Sequence, residues 1–288
     1  MKKLRLSSSH MWLAVFLLLA VLPLLAGLTL SLLYSLGWVG ALAKGFTLGH
    51  WVSVFSEGEV FGSIAYSIGI GLLSIGAAGA IALGLVLRYP HRLSTGWPGL
   101  SRYLPLCIPP IAAGFFSFQW LGGSGWLSRL GNQIGLIDGS SGFPDLIQDR
   151  FAFGIILTHV MLALPFFLLL FGSLYERNSL DQYLTQAQAL GASPRQARRK
   201  IGIPVLFRAA FPTLILYAIF VSGAYEIPLL LGRQSPQMVS VLTVRYLRHF
   251  DLERIPQAYI VALIYGIIVL AALLLTFHRL VPKREEVR

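Results

Sequence analysis

Charge is the first thing this chain is short of. Lys, Arg, Asp and Glu make up 12% of its 288 residues, about half the ~25% usual in soluble domains. Cysteine is nearly missing too. The single Cys107 falls inside an apolar run, so no disulfide framework can form. No G-x-x-x-x-G-K-[ST] phosphate loop occurs, so the chain is not expected to hydrolyse ATP itself. The six His are scattered. No metal-ligand cluster, nucleophile–base pair or carboxylate pair is visible, so no catalytic residue, metal or cofactor is expected. There is no low-complexity segment and no internal repeat of the kind that many secondary transporters carry.

What is present is apolar sequence, 56% of the chain, much of it in runs of about 18 residues or more, the length that crosses a bilayer as a helix. The fold class that follows is all-α, a polytopic membrane bundle of about six transmembrane helices. The spans are placed at roughly 11–36, 60–87, 103–121, 151–174, 209–232 and 257–278. The first has a basic start, as a secretory leader does. It continues apolar through Leu36 without a clear A-x-A site, so it is read as an uncleaved span.

The formal charge of +11 could suggest nucleic acid, but its distribution points to topology. With the N-terminus in the cytoplasm, the inside segments 1–10, 88–102, 175–208 and 279–288 hold 16 of the 23 Lys and Arg. The outside segments hold Lys44, Arg129, Arg150, Arg233, Arg245, Arg248 and Arg254. That is the positive-inside bias, and it implies an even number of spans with both termini cytoplasmic. Within the second span, Gly76, Ala80 and Gly84 recur every four residues, which reads as a face for close helix packing. The third opens on Pro105, Pro109 and Pro110, so it is expected to face protein or a cavity rather than lipid. Pro165, Pro212 and Pro228 extend the pattern of breaks. The outside segment 122–150 has Trp126, Leu127, Leu130, Ile134 and Ile137 near helical spacing. It is read either as a short interfacial helix or as an ordered loop.

One polar island interrupts the apolar runs, residues 178–208. Ser179 and Gln182 make a capping box, starting a helix that runs to about Leu190. Gly191 stands where a left-handed residue ends a helix. Ser193 and Gln196 make a second box with Pro194 at the first helical position. The second helix carries Arg195, Arg198, Arg199 and Lys200, and is expected to stop before Gly202 and Pro204, since proline restrains Ile203. The expected object is a short rigid lever tied to the fourth and fifth spans. It could be a docking surface, an ordinary amphipathic loop or a basic patch held to anionic lipid. A DNA-reading helix pair would need a three-helix domain around it, and none is present.

Here the chain resembles the transmembrane permease subunits of type I binding-protein-dependent ABC importers. Their cytoplasmic signature is E-A-A, three residues, Gly, about nine residues, then hydrophobic-x-hydrophobic-Pro. This chain has Thr185-Gln186-Ala187, then Gly191-Ala192-Ser193, then Ile201-Gly202-Ile203-Pro204. Thr185 and Gln186 replace the Glu-Ala pair, so no carboxylate is offered at that point. The resemblance covers roughly 60–280, and LPLCIPPIAAG and YEIPLLLG resemble the branch serving thiamine, ferric iron, polyamines or sulfate. It implies a permease core at 60–280 with a coupling loop at 178–208. The N-terminal tail, first helix and outside loop then occupy 1–59, and a cytoplasmic tail 281–288. It also implies a bacterial inner-membrane location and three partners besides lipid: a separate ATPase, a second permease subunit and an extracytoplasmic solute-binding protein. The ATPase-coupling residues would be Thr185, Gln186, Ala187, Gly191, Ala192, Ser193, Arg195 and Pro204. Polar groups inside spans are costly, which makes Gln119, His159, Ser222, Tyr225 and Glu226 candidates for the translocation pathway. The alternative for Glu226 is pairing with Arg233 or reaching the interface, and for His159 a helix-packing hydrogen bond. A membrane-embedded enzyme or a stand-alone secondary transporter with a helical loop remains the other class.

Overall fold

The computed structural model describes residues 8–40, 43, 45–90, 103–139 and 142–280. The basic residues Lys2, Lys3 and Arg5, most of the segment 88–102 and the tail 281–288 lie outside the described residues. The described residues form helices and no strands. In chain order these are α1 (Ser8–Phe16), a π-turn (Leu17–Val21), α2 (Leu22–Ser35), α3 (Gly49–Ser56) and α4 (Glu59–Arg88). A 3-10 turn (Leu104–Cys107), α5 (Pro110–Leu121), α6 (Trp126–Gln133), α7 (Phe153–Arg177) and α8 (Leu180–Ala189) follow. The last part holds α9 (Pro194–Ala197), a π-turn (Arg198–Gly202), α10 (Ile203–Ser222), α11 (Glu226–Leu231), α12 (Val239–Leu247) and α13 (Arg254–Leu280).

Among the described residues, five helices are long and apolar enough to cross a membrane, not six. They are Met11–Ser35, Glu59–Arg88, Phe153–Arg177, Pro194–Ser222 and Arg254–Thr276. The expected span 103–121 is broken. Pro109 takes an extended conformation (φ −61°, ψ 143°), and α5 beyond it, at 1.5 Å per residue, is only ~18 Å long. The expected span 209–232 ends at Ser222 instead, and α11 resumes after a break at Gly223. Pro165 and Pro212, expected as breaks, sit inside continuous helices. The amphipathic stretch after Gly125 is a short helix, α6.

The chain divides into two compact units. One contains the described parts of Met1–Val60 and Leu242–Ile268, the other those of Phe61–Val241 and Val269–Arg288. In the first, a polar network joins the end of α3, the start of α4, α12 and α13. Arg254 Nη1 donates to Glu57 at 2.7 and 2.9 Å, and Arg245 pairs with Glu59. The Tyr246 hydroxyl donates to Glu59 at 3.1 Å, and both guanidinium groups lie over its ring. Gln257 extends the network to Ser53.

In the second unit, buried Ile75, Ala78 and Ala82 of α4 meet Phe167 and Phe171 of α7 and Leu206, Ala210 and Ala218 of α10 in one core. The helices come closest at Gly71. A Cβ there would collide with the Ser222 hydroxyl and the Ala218 carbonyl, and one at Gly79 would lie 2.9 Å from Leu214. The face expected to pack, Gly76, Ala80 and Gly84, is exposed instead, and Gly76 and Gly84 have nothing within 4 Å. Both sets of small residues have helical spacing. The bulk of Phe167 and Phe171 opposite decides which one is buried.

Two outcomes follow. Gly71→Ala should lower the thermal unfolding midpoint of the solubilised protein, by the equivalent of about 1–3 kcal/mol for an overpacked contact, whereas Gly76→Ala should leave it unchanged or raise it. Burial, then the charge and hydrogen bond of Glu59 and the charge of Glu57, push the Tyr246 hydroxyl up to about 12 from its ordinary 10. The folded state holds this proton more tightly, so the stabilisation is complete below pH 10 and is lost as pH rises towards 12. Tyr246→Phe should flatten that part of the stability–pH curve, and an unchanged slope would exclude the linkage.

Candidate functional site

The polar island folds as a braced lever. Its entry differs from the capping box expected at Ser179. That residue takes a left-handed conformation (φ 48°, ψ 39°) and makes no side-chain cap. The chain leaves α7 there by a tight reversal. The Ser179 amide donates to Glu176 O and the Asn178 side chain to Leu174 O, so Ser179 closes one helix rather than capping the next. The Tyr175 hydroxyl ties α7 to α8 by donating to Asp181 at 2.9 Å.

The end of α8 is a complete Schellman motif. Gly191 has φ +95°, its amide donates to Gln188 O at 2.9 Å, and the Ala192 amide reaches Ala187 O at 3.0 Å. Both halves of the second capping box are present. The Gln196 amide donates to the Ser193 hydroxyl at 3.3 Å, and the Ser193 amide donates to the Gln196 side chain at 3.0 Å, with Pro194 at the first position.

The second helix does not stop before Pro204. It runs without interruption into the span, so that Pro194–Ser222 is one helix. Ile203 is helical at φ −60°, ψ −52°. Proline supplies no N–H and its ring clashes with the carbonyl four residues back. The π-turn Arg198–Gly202 absorbs both defects by adding a residue to the turn, and the Ile203 amide donates five residues back, to Arg198 O.

The lever is fixed from below. Leu180, Leu184, Ala197 and Leu206 are buried in the same core as Val86 and Leu87 of α4 and Phe171 and Tyr175 of α7. A Cβ on Gly202 would lie 2.7 Å from Leu87, so only glycine lets the helix approach this closely. Thr185, Gln186, Gly191, Ser193, Arg195 and Pro204 are exposed, and Ala187 and Ala192 half-buried. The Thr185 hydroxyl is spent on Asp181 O, 2.9 Å away in its own helix. Two residues that the sequence motif did not single out share this surface. Leu190 is 90% exposed and Tyr183 55%. Leu190 directly follows α8 and lies seven residues from Tyr183, close to the same helix face. Their spacing with Ala187 was the available signal.

The five polar residues expected on a pathway separate into two groups. His159 and Ser222 are buried, and each bonds to a carbonyl of its own helix, His159 Nδ1 2.9 Å from Ile155 O and the Ser222 hydroxyl donating to Ala218 O at 2.7 Å. Gln119 and Glu226 are exposed and Tyr225 half-buried. Gln119 helps line an open cavity of about 730 Å³ with Phe115, Phe116, Trp120, Trp126 and Arg129. Glu226 opens α11, which packs on α5 where Gly114 meets Ile227 and Leu230. Among the described residues no His, Cys, Asp and Glu come together as a metal site.

This arrangement has the all-helical fold of an ABC importer permease. The solved structure of a bacterial alginate ABC transporter with a pentasaccharide-bound periplasmic protein matches it at TM-score 0.70, with 16% identity over 94% of this chain and 92% of that one. A second structure, of a transporter importing the acidic polysaccharide alginate, matches at TM-score 0.69, with 18% identity over 94% and 93%. In sequence, the chain is 28% identical over 138 residues to the probable ABC transporter permease protein y4fN of Sinorhizobium fredii. The match takes in 46% of this chain and spans 23% of that protein's length. No family model matches. The sequence relative and both solved structures are ABC transporter proteins, and the helices long and apolar enough to cross a membrane agree with that fold.

The left-handed Gly191 has open space around it, so its replacement acts on the backbone alone. Gly191→Val should cost about 1–2 kcal/mol and speed hydrogen exchange at the Gly191 and Ala192 amides, and Gly191→Asn should do less. Equal exchange in all three would mean that the Schellman turn does not hold the lever.

Proposed function

We propose that this chain is one half of the membrane pathway of an ABC importer and couples it to a separate ATPase through the lever. The observation that carries this is the exposed pair Tyr183 and Leu190 on an element fastened to α4, α7 and α10 by buried contacts. A partner that grips this face moves three helices at once. Thr185 and Gln186 offer no carboxylate there, so docking rests on the apolar contact and on shape. Arg195, Arg199 and Lys200 are exposed beside it and suit an acidic rim on the partner.

The positive-inside bias puts the lever and both termini in the cytoplasm. A second copy or a paralogue supplies the other half, and an extracytoplasmic binding protein delivers a small polar solute. LPLCIPPIAAG and YEIPLLLG favour the branch that serves thiamine, ferric iron, polyamines or sulfate. Gln119, Tyr225 and Glu226 are the pathway residues with access to solute, while His159 and Ser222 are buried and satisfied within their own helices.

Co-purification of an ATPase subunit with the tagged chain should depend on residues 179–204, and Leu190→Glu alone should reduce it at least about tenfold, the scale of a buried apolar anchor. Gly191→Val should abolish uptake while the protein still inserts. A complex that survives deletion of the loop would sink this function.

A further inference from the structure

At the opposite ends of α4 and α7 from the lever, two loop segments are stitched together. The Gln148 amide, on a left-handed backbone (φ 54°), donates to Leu231 O at 2.7 Å. Gln148, Arg233, Gln234 and Ser235 line an open cavity of about 600 Å³ between these segments. Twenty helical residues separate Tyr66, at this end of α4, from Val86 beside the lever, ~30 Å at 1.5 Å per residue. That is one hydrocarbon thickness.

The groups here are mostly donors in search of an acceptor. Arg233 makes no ion pair among the described residues. Asp149, next to Gln148, is already engaged. Its carboxylate accepts the Phe151 and Phe153 amides at 2.9 Å and caps α7. The Tyr66 hydroxyl is buried without a hydrogen-bond partner, and its ring packs against the cluster that holds Ala152 and Leu231. A buried hydroxyl left unpaired is costly, so an acceptor brought to Tyr66 would be stabilising. An available guanidinium, two side-chain amides and two hydroxyls form a donor set that suits oxygen acceptors bearing negative charge. A cation would find the Asp149 carboxylate already accepting two amides.

We propose that this cavity is an oxyanion-recognition site of the pathway, in which Arg233, assisted by Gln148, Gln234, Ser235 and Tyr66, receives a carboxylate, phosphate or sulfate group of the solute. The inference rests on the permease function proposed above and narrows the solute to an anionic one.

The test uses the permease with its assembled partners in detergent or nanodiscs, and the chain alone if no ATPase co-purifies. Sodium phosphate, sulfate and acetate are titrated against sodium chloride at constant ionic strength, with the thermal unfolding midpoint as readout. At least one oxyanion should raise the midpoint saturably where chloride does not. A response to acetate alone assigns a carboxylate, and one to phosphate or sulfate a tetrahedral group. Arg233→Gln should raise the half-saturating concentration at least about tenfold, as loss of a charge-assisted hydrogen bond does, and Arg233→Lys by less. Tyr66→Phe should weaken the response several-fold without lowering the midpoint of the anion-free protein, since its hydroxyl has no partner to lose. No response beyond chloride, or equal responses in wild type, Arg233→Gln and Tyr66→Phe, would overturn the proposal. So would an Arg233→Gln defect confined to affinity for the loaded binding protein, which would make the arginine a docking contact. An anion response in a chain that binds no ATPase would leave this site standing and remove the permease function instead.

Discussion

Every helix that crosses a bilayer must satisfy its own backbone, because hydrocarbon offers no water to an orphaned amide or carbonyl. The lever depends on how the chain meets this constraint at Pro204. An ordinary α-turn would leave a strained and unpaired carbonyl there. Widening the turn at Arg198–Gly202 keeps Pro194–Ser222 as one rod. The surface element and the span are therefore mechanically continuous. The same helix reaches Ser222, where the Ala218 carbonyl and Ser222 hydroxyl leave no room for a side chain at Gly71 of α4.

The lever's other attachments are apolar and short. Leu180 and Leu184 reach into the core from one side and Ala197 and Leu206 from the other, with Phe171 between α7 and both. The outer surface carries little that is self-satisfied except Thr185. A rigid base under an exposed Leu190 and Tyr183 is the reverse of what a solvated connector needs. At the far end of the same helices Gln148, Arg233, Gln234 and Ser235 line one open cavity. The two ends of this unit thus present different chemistry.

Much of this could be read from residue order. The apolar runs, Gly191 as a left-handed stop, and Ser193 with Gln196 and Pro194 are local signals, each involving groups within about five residues, and local geometry bears them out. Signals that depend on a distant partner misled. Ser179 with Gln182 has the letters of a capping box, but the reversal out of α7 puts Ser179 in a left-handed turn where its hydroxyl cannot reach. Pro204 looked like a stop because its cost is local, while its remedy, an added residue in the preceding turn, has no letter of its own. Gly76, Ala80 and Gly84 match a packing motif as well as Gly71, Ala78 and Ala82 do.

By itself the sequence determined that this is a helical membrane protein, which side its charges favour, and where its polar island bends, because hydropathy, charge and turn chemistry act within a few residues of themselves. The tertiary structure decided which face of α4 is buried and that the island is continuous with a span. It also separated His159 and Ser222, buried and each bonded within its own helix, from Gln119 and Glu226, which stay accessible, and it brought Arg233 and Gln148 to one cavity. These depend on what stands opposite each residue, and spacing along one chain carries no record of the opposing surface.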